Sequence, residues 1–400
     1  MSPAPFDLAA LATAPDPIAW LGEARAGGPV QAMGDGFWAV TGYDEAVAVM
    51  HSPDFISSPL GAGFEARLPE GAARDEMRLR INFLDPPDHP RVRSLVAKAF
   101  TPRRITDLRP WMEATAVALV SEVDTSHPFD LLRDVGHQLP SLVISELLGI
   151  PLSDRSRLTG WSDQVSPLLG TAPTADEIQR AIEAAEQFHA YLGALLDERR
   201  DGPGADLLSA LVLVEEAGER LSRPELLSLA ATLYSAGHRT TRDAFTNGVA
   251  WMLLHRDELW LPFAHGAWEV PEVATEILRH QTPTMFVARI AALPTRVGGV
   301  EIAPGDVAMI FLAAANRDPL HYDDPDAFRP GRGGPPALSF AHGAHYCLGA
   351  SLARAEIEVL LAAVATAWPD LRLADSASDA VRWHQRGPFR GVDALVCTIA

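Results

Sequence analysis

Residues 340–354 read FAHGAHYCLGASLAR, and Cys347 stands at the centre of this stretch. A glycine-containing bend precedes the cysteine, and a long amphipathic run begins just after it. Backbone N–H groups at the start of a helix are unpaired, and the helix dipole favours negative charge there. Both effects favour thiolate over thiol. The stretch therefore predicts a loop that presents a thiolate at the mouth of a helix.

Three interpretations of this cysteine are open from its neighbours alone. The first is a small buried core residue, the usual place of a free cysteine. The second is zinc binding with His342 and His345, which needs a fourth ligand although the only other cysteine is Cys397. The third is an axial ligand to haem iron, because a thiolate held on bare backbone suits a large flat cofactor.

The composition narrows the class of protein. The chain has 400 residues, and its 48% of hydrophobic residues is enough for a sizeable core. A net charge of −19 argues against general nucleic-acid binding, which needs a basic face. We find no apolar run long enough to cross a bilayer and no signal-peptide pattern at the N-terminus. Two cysteines give no disulfide framework, so we expect a soluble cytoplasmic protein.

The apolar spacing predicts a mainly helical chain with a small β region. Residues 54–82 are predicted to be irregular, either as a wall of a pocket or as a mobile surface loop. Residues 161–174 are a second irregular segment that is predicted to be a wall of the pocket. Helices are predicted over 16–26, 43–51, 112–123, 138–148, 175–199, 224–255, 273–280 and 348–368, and short strands over 37–40, 285–291, 297–302 and 307–313.

The predicted helix over 224–255 is apolar on nearly every side, which is typical of a buried helix. Inside it, residues 235–241 read SAGHRTT. A glycine and two adjacent threonines lower helix propensity, and threonine hydroxyls either bond the carbonyl four residues back or open a polar groove. The segment predicts a polar notch in a buried helix.

A basic segment lies earlier in the chain, around DPPDHPRVR at 85–93. His89 and Arg93 are four residues apart and share a helix face, which suits a carboxylate-bearing ligand or a solvated surface. Arg103 and Arg104 continue the basic segment, which could dock an acidic partner protein. Glu276 and Arg279, taken alone, form an ordinary helical ion pair.

Taken in order, these motifs closely resemble those of the bacterial cytochromes P450. The resemblance covers essentially the whole chain and implies a single domain over 1–400. It also implies a mainly α fold with a small β region, in which haem b lies between a long central helix and the Cys-loop helix. The matching positions are Phe340, Gly343, His345, Cys347 and Gly349 of the cysteine signature; Glu276 and Arg279 of Glu-x-x-Arg; Asp85 to His89 with Arg93; and Ala236, Gly237 and Thr240 of Ala-Gly-x-x-Thr.

The resemblance implies a role for each matching position. Cys347 is expected to be the iron ligand, and Thr240, with Thr241 beside it, to relay protons to the oxygen being activated. Glu276 and Arg279 are expected to be structural, in a network with the loop after Asp318. The expected propionate partners are His89, Arg93, Arg289 and His345, and the expected pocket walls are Met285, Phe286, Val287, the loop around Phe389 and the two irregular segments.

The function implied is a haem-thiolate monooxygenase of secondary metabolism. It would hydroxylate, epoxidise or oxidatively couple a small, largely apolar molecule, using dioxygen and electrons from a ferredoxin-type partner. The partner is expected to dock near Arg103 and Arg104, over the Cys face, and the protein is expected to be a monomer without nucleic-acid or membrane partners. The alternatives are a peroxide-driven peroxygenase and a non-catalytic haem sensor or electron-transfer protein.

Arg239 departs from the family pattern, which usually has an acid just before the threonine. A guanidinium cannot titrate in that role. Arg239 therefore points away while water, Thr241 or the substrate relays protons, or it binds a substrate carboxylate, or it indicates peroxide use. The retained Thr240 favours ordinary monooxygenation.

Overall fold

The computed structural model describes residues 6–170, 173–214, 220–374 and 380–399. The chain divides into two compact units. The first comprises Met1–Ile56, Thr115–Gly136 and Thr240–Ala400, and the second comprises Ser57–Ala114 and His137–Arg239.

Sixteen helices are present among the described residues. In chain order they are α1 Leu8–Thr13, α2 Pro17–Ala24, α3 Tyr43–His51, α4 Ser58–Glu65, α5 Ala72–Leu79, α6 Asp88–Ala99, α7 Pro102–Glu122, α8 Gln138–Leu148, α9 Arg155–Val165, α10 Ala175–Asp201, α11 Leu207–Leu213, α12 Arg223–Leu254, α13 Trp260–Ala264, α14 Val270–His280, α15 Leu312–Ala315 and α16 Ala350–Ala367.

The strands of the described residues all lie in the first unit. They are β1 Val30–Gly34, β2 Phe37–Val40, β3 Phe55–Ile56, β4 Phe129–Asp130, β5 Val287–Ala291, β6 Thr295–Val297, β7 Val300–Ile302, β8 Val307–Ile310, β9 Arg372–Leu373, β10 Val381–Arg386 and β11 Phe389–Thr398.

These strands form three small sheets. The largest has the order β1-β2-β8-β5-β3, in which β2 and β8 run parallel and the other neighbours antiparallel. The second joins β10, β11 and β4, with β9 also on β11, and the third is the β6–β7 hairpin. The mainly helical prediction with a small β region is confirmed.

The local signals read from the sequence locate several helices well. Asp16 caps α2, since its carboxylate accepts hydrogen bonds from the backbone N–H of Ile18 and Ala19 at 2.9 and 3.1 Å. Helices α3 and α8 have the predicted bounds, and α8 ends at Gly149 in a left-handed conformation with φ 69°. Such an ending is typical of glycine after a helix.

The prediction that residues 54–82 are irregular is wrong in part, because the segment contains α4 and α5. The start of α4 is capped from a distance. The carboxylate of Asp85 accepts hydrogen bonds from the backbone N–H of Ser57 and Ser58, the shortest at 2.7 Å. The acid before α6 therefore serves another helix, whereas Asp88 is itself the first residue of α6.

The two predicted wall segments pack together in the second unit. Leu68 and Met77 from the first segment share one apolar core with Val165 and Leu168 from the second, against Ala181 of α10. Within the second segment, residues 171 and 172 lie outside the described part of the chain. Burial of these aliphatic side chains makes the two segments one packed body.

Candidate active site

The cysteine loop is shaped by its own backbone. The N–H of Cys347 donates to the carbonyl of Phe340 at 2.9 Å, and the N–H of Tyr346 donates to that of Gly343 at 3.0 Å. Gly343 has φ 72°, and a Cβ there would lie 2.5 Å from the carbonyl oxygen of Met50 in α3. Only glycine fits this position, because both the conformation and the contact exclude a side chain.

The two cysteines lie in opposite environments. Cys347 is exposed at the end of its loop, just before α16 begins at Ala350. Cys397 is fully buried in β11, and burial raises the pKa of its thiol far above its usual value. Since a ligand must be a thiolate, Cys397 is unsuited to bind a metal and Cys347 is suited. An accessible thiol on a loop held by its own backbone hydrogen bonds is suited to hold the iron of a haem, and an added Cβ at the neighbouring Gly349 would meet no atom within 4 Å.

The zinc interpretation finds no support in the structure. No three His, Cys, Asp or Glu side chains come together as a metal site anywhere in the part of the chain that the structure describes. His342 contacts His51 at the end of α3, with its Nδ1 2.5 Å from the Nε2 of that ring. Burial, and then the neighbouring His51, lower the pKa of His342.

The predicted propionate partners belong to different units. Arg289 lies in β5 and is buried, with its Nη1 donating to the carbonyl of Ala288 at 2.8 Å. His345 ends a short 3₁₀ turn in the Cys loop and is half-buried. His89 and Arg93 lie in α6 of the second unit, where His89 is buried. Their binding to propionates stays a prediction.

The predicted polar notch lies in the middle of α12, which is continuous through it. Ala236 is exposed and Thr240, four residues on, is half-buried, so the two share the helix face with open surface. Thr241 is buried at 2% exposure. Gly237 has a packing role, because a Cβ there would lie 3.0 Å from Cδ1 of Ile144 in α8.

Arg239 contacts a segment that the sequence does not connect with it. Its Nη1 donates a hydrogen bond to the hydroxyl oxygen of Ser166. Ser166 is the first residue of the 3₁₀ turn Ser166–Leu169, which directly continues α9. The guanidinium is half-buried. The guanidinium of Arg239 therefore points toward the end of α9. The predicted roles of Arg239 in substrate binding or peroxide use stay predictions.

Glu276 and Arg279 form a buried pair, each with 2% exposure. The contact predicted with the loop after Asp318 is present, since Nη1 of Arg279 donates to the carbonyl of Pro325 at 2.8 Å and Nη2 donates to that of Ala327 at 3.1 Å. Sequence reasoning missed a third member, Arg332, whose Nε donates to Oε1 of Glu276 at 3.1 Å. Nothing local marks Arg332, because its partner is 56 residues away.

The predicted pocket-wall residues around Met285 are brought together with Phe389. The N–H of Met285 donates to the carbonyl of Pro388 at 2.7 Å, and Thr284 pairs with Phe389. The side chain of Met285 is fully buried, and that of Phe286 is 9% exposed, in an apolar core cluster. Val287 and Phe389 are half-buried. Contact of these residues with substrate stays a prediction.

Comparison with known proteins places this geometry in a family. A family model described as Cytochrome P450 matches residues 270–366. The chain is 36% identical over 412 residues to cytochrome P450 monooxygenase PikC of Streptomyces venezuelae, covering 98% of this chain and 94% of that protein. It is 37% identical over 369 residues to mycinamicin IV hydroxylase/epoxidase of Micromonospora griseorubida, covering 90% and 88%. The crystal structure of CalO2 superposes with a TM-score of 0.91 at 28% identity, covering 96% of each chain.

This mainly helical fold, with an exposed cysteine just before α16, is that of a cytochrome P450 monooxygenase. The chain belongs to the cytochrome P450 family. Its cofactor is haem b. The role of Cys347 as the ligand of the iron stays a prediction. None of the helices in the described ranges is long and apolar enough to cross a membrane.

Proposed function

We propose that the protein oxidises a small, largely apolar molecule of secondary metabolism by hydroxylation or epoxidation. One oxygen atom of dioxygen enters the substrate and the other leaves as water, with two electrons from a ferredoxin-type donor and two protons. The exposed Cys347 at the mouth of α16 carries this proposal. The name of the relative from Micromonospora griseorubida couples the same two reactions.

The residues of the chain divide this work among them. Haem with a thiolate ligand supplies the oxygen activation, since the thiolate favours O–O cleavage. Cys347 would hold the iron, and the charged groups of His89, Arg93, Arg289 and His345 would orient the propionates by charge-assisted hydrogen bonds. The hydroxyl of Thr240 would hold and pass a proton. The apolar walls would exclude water from the reacting carbon.

The absorption spectrum of the reduced, carbon monoxide-bound protein tests the assignment of the ligand. Wild type should show the Soret shift of thiolate ligation, and Cys347→Ala should abolish it. Cys397→Ala is the matched control and should keep the shift, because that thiol is buried in β11. A Soret band without the thiolate shift in wild type would contradict the proposal.

A non-catalytic haem sensor or electron carrier needs no open substrate pocket. Titration of candidate substrates, followed by the spin state of the iron, separates this class from an enzyme. A monooxygenase should show a saturable change of spin state and substrate-dependent consumption of the electron donor. Retention of one spin state across the whole panel would favour the sensor.

Peroxide-driven oxidation is the second candidate, and the observation that favours it is Arg239 in place of the usual acid before Thr240. Turnover with hydrogen peroxide should be compared with turnover supported by a ferredoxin system, in wild type and in Arg239→Glu. For a monooxygenase, the ferredoxin system should support the faster turnover in wild type. Faster turnover with peroxide would reverse the choice, and loss of substrate binding in Arg239→Glu would make Arg239 a substrate anchor.

A further inference from the structure

We infer that Arg239 is a positioning residue that fixes the end of α9 to the middle of α12, and that it thereby controls the entry of bulky molecules. The observation is the hydrogen bond from its guanidinium to the hydroxyl oxygen of Ser166. The inference about entry rests on the proposed function, because it takes the segment after α9 to be a wall of the substrate pocket.

The other end of α9 is fixed independently. The hydroxyl of Tyr234, one turn before Arg239 in α12, lies 3.0 Å from the hydroxyl of Thr159 and donates to the carbonyl of Arg155 at 3.1 Å. Tyr234 is fully buried, whereas Arg239 is half-buried. The contacts of Tyr234 at the start of α9 are therefore protected from water. The hydrogen bond of Arg239 at the end of α9, here called the tie, is partly open to water.

The regular α-helical hydrogen bonding also stops at the end of α9. The helix passes into one 3₁₀ turn, Ser166–Leu169, with Pro167 in its first positions and Gly170 after it. Short 3₁₀ turns have poorer hydrogen-bond geometry than α-helix. Val165 and Leu168 anchor this corner in the apolar core that the two wall segments share. A shift of the corner would therefore move the wall segments with it, and Arg239 opposes that shift.

The residue type explains why this position favours a tie over a proton relay. Arginine stays charged at every pH of interest, so the hydrogen bond to Ser166 does not depend on protonation. A bond with one charged partner is stronger than a neutral one. The acceptor is the neutral hydroxyl of Ser166. When the hydrogen bond breaks, no charged group of the acceptor residue is left unpaired, so the contact can break and re-form.

Hydrogen–deuterium exchange of the haem-loaded protein tests the tie directly. Amides of residues 155–170 should exchange about threefold to tenfold faster in Ser166→Ala than in wild type, as expected for loss of one charge-assisted hydrogen bond that is partly exposed. In Arg239→Met the exchange of these amides should be accelerated at least as much. Ser166→Thr keeps the hydroxyl and should restore the wild-type rate. Ser94→Ala is the control, because the hydroxyl of Ser94 bonds the carbonyl of Arg91 within its own helix.

The kinetics of two iron ligands of different size test the control of entry. The association rate of 4-phenylimidazole should rise at least about threefold in Ser166→Ala, while carbon monoxide, which is small, should bind within about twofold of its wild-type rate. If the contact had a purely structural role, the association rates of both ligands would be the same in Ser166→Ala as in wild type. Unchanged exchange over 155–170 in both variants would overturn the tie, and equal changes for the two ligands would overturn the control of entry.

These outcomes are separable from the proposed function. The thiolate-type spectrum of the reduced, carbon monoxide-bound Ser166→Ala protein shows whether the haem is held as in wild type. If that spectrum is absent in wild type as well, the proposed function fails while the exchange experiment still decides whether Arg239 fixes the end of α9.

Discussion

The guanidinium of Arg279 donates two hydrogen bonds to the carboxylate of Glu276, from Nε to Oε2 at 2.8 Å and from Nη2 to Oε1 at 2.7 Å. Both side chains are almost fully buried. The same carboxylate accepts from Nε of Arg332 at 3.1 Å and from the backbone N–H of Arg329 at 2.7 Å. One acid therefore accepts four hydrogen bonds from three residues in two segments of the chain.

Removal of the charge of Glu276 should be strongly destabilising. In Glu276→Gln the buried guanidinium of Arg279 loses its counter-charge, and breaking one side of a buried pair costs roughly 3–5 kcal/mol. Chemical unfolding and the ratio of haem to protein absorbance measure the effect. Glu113→Gln, which breaks an exposed pair with Arg109, is the control and should cost less than about 1 kcal/mol. Equal losses in the two variants would contradict the prediction.

His280 should make the protein less stable in mild acid. Burial, and then the charge of Arg317, lower the pKa of His280 well below its usual value. The folded state therefore keeps the ring neutral while the unfolded chain takes up a proton below pH 6.5. The free energy of unfolding should fall by roughly 1.4 kcal/mol between pH 7.5 and 5.5 because of this group.

The variant His280→Gln checks this contribution. Urea unfolding at the two pH values should show a smaller loss of stability in the variant than in wild type, whatever the absolute stability of the variant. His127→Gln, on the surface, is the control. An identical loss in His280→Gln and wild type would mean that His280 does not contribute.

Glu356 should have the opposite dependence. It is fully buried in α16, and burial raises the pKa of its carboxyl group well above its usual value. The folded state keeps the proton that the unfolded chain releases above pH 4.5, so stability falls as pH rises from there. Glu356→Gln should therefore gain at least about 1 kcal/mol over wild type between pH 5.5 and 7.5.

Unfolding of Glu356→Gln at those two pH values measures this gain. Glu70→Gln is the control, because Glu70 is 94% exposed and lies on the surface beside Arg74. A pH dependence of Glu356→Gln that matches wild type would show that the acid is ionised in the folded protein or that it has a compensating partner.

Charge reversal at the predicted docking segment should slow reduction. Arg103 is 87% exposed, with only a 3.6 Å contact to Asp107, whereas Nη1 of Arg104 donates to the carbonyl of Ala205 at 2.6 Å. We expect Arg103→Glu with Arg104→Glu to slow the first electron transfer from ferredoxin about tenfold at low salt, and less at high salt, because exposed charges are screened.

Stopped-flow reduction of the haem measures this rate, and the haem content should stay at the wild-type value. Arg200→Glu with Arg296→Glu reverses two exposed arginines on α10 and β6, changes the net charge by the same amount, and is the control. Equal slowing by the control and the double variant would point to net charge alone. Unchanged kinetics in the double variant would remove Arg103 and Arg104 from the docking site.

The sequence predicts what local chemistry decides. The cap at Asp16, the glycine after α8 and the loop that places Cys347 just before a helix each depend on neighbouring residues, and the structure has them as expected. The contacts of Arg332 with Glu276 and of Arg239 with Ser166 could not be predicted in this way. Their partners are 56 and 73 residues apart, so only the folded chain brings them together.

The same reason explains the error at 54–82. Helices α4 and α5 have eight residues each, and α4 contains a proline and two glycines, so their intrinsic helix signal is weak. The cap from Asp85 and the apolar core shared with α9 and α10 supply what the segment lacks. Tertiary contacts decide such short helices.

The close approach of Gly343 to the carbonyl of Met50 determines which fragments of the chain can form the cysteine loop. The cysteine loop packs against the end of α3, which serves as its template and lies nearly three hundred residues earlier in the chain. A fragment limited to 270–366 would contain the whole cysteine signature and yet lack its template. Truncation from the N-terminus through α3 should therefore abolish haem binding before it reaches His89, the first predicted partner of the cofactor.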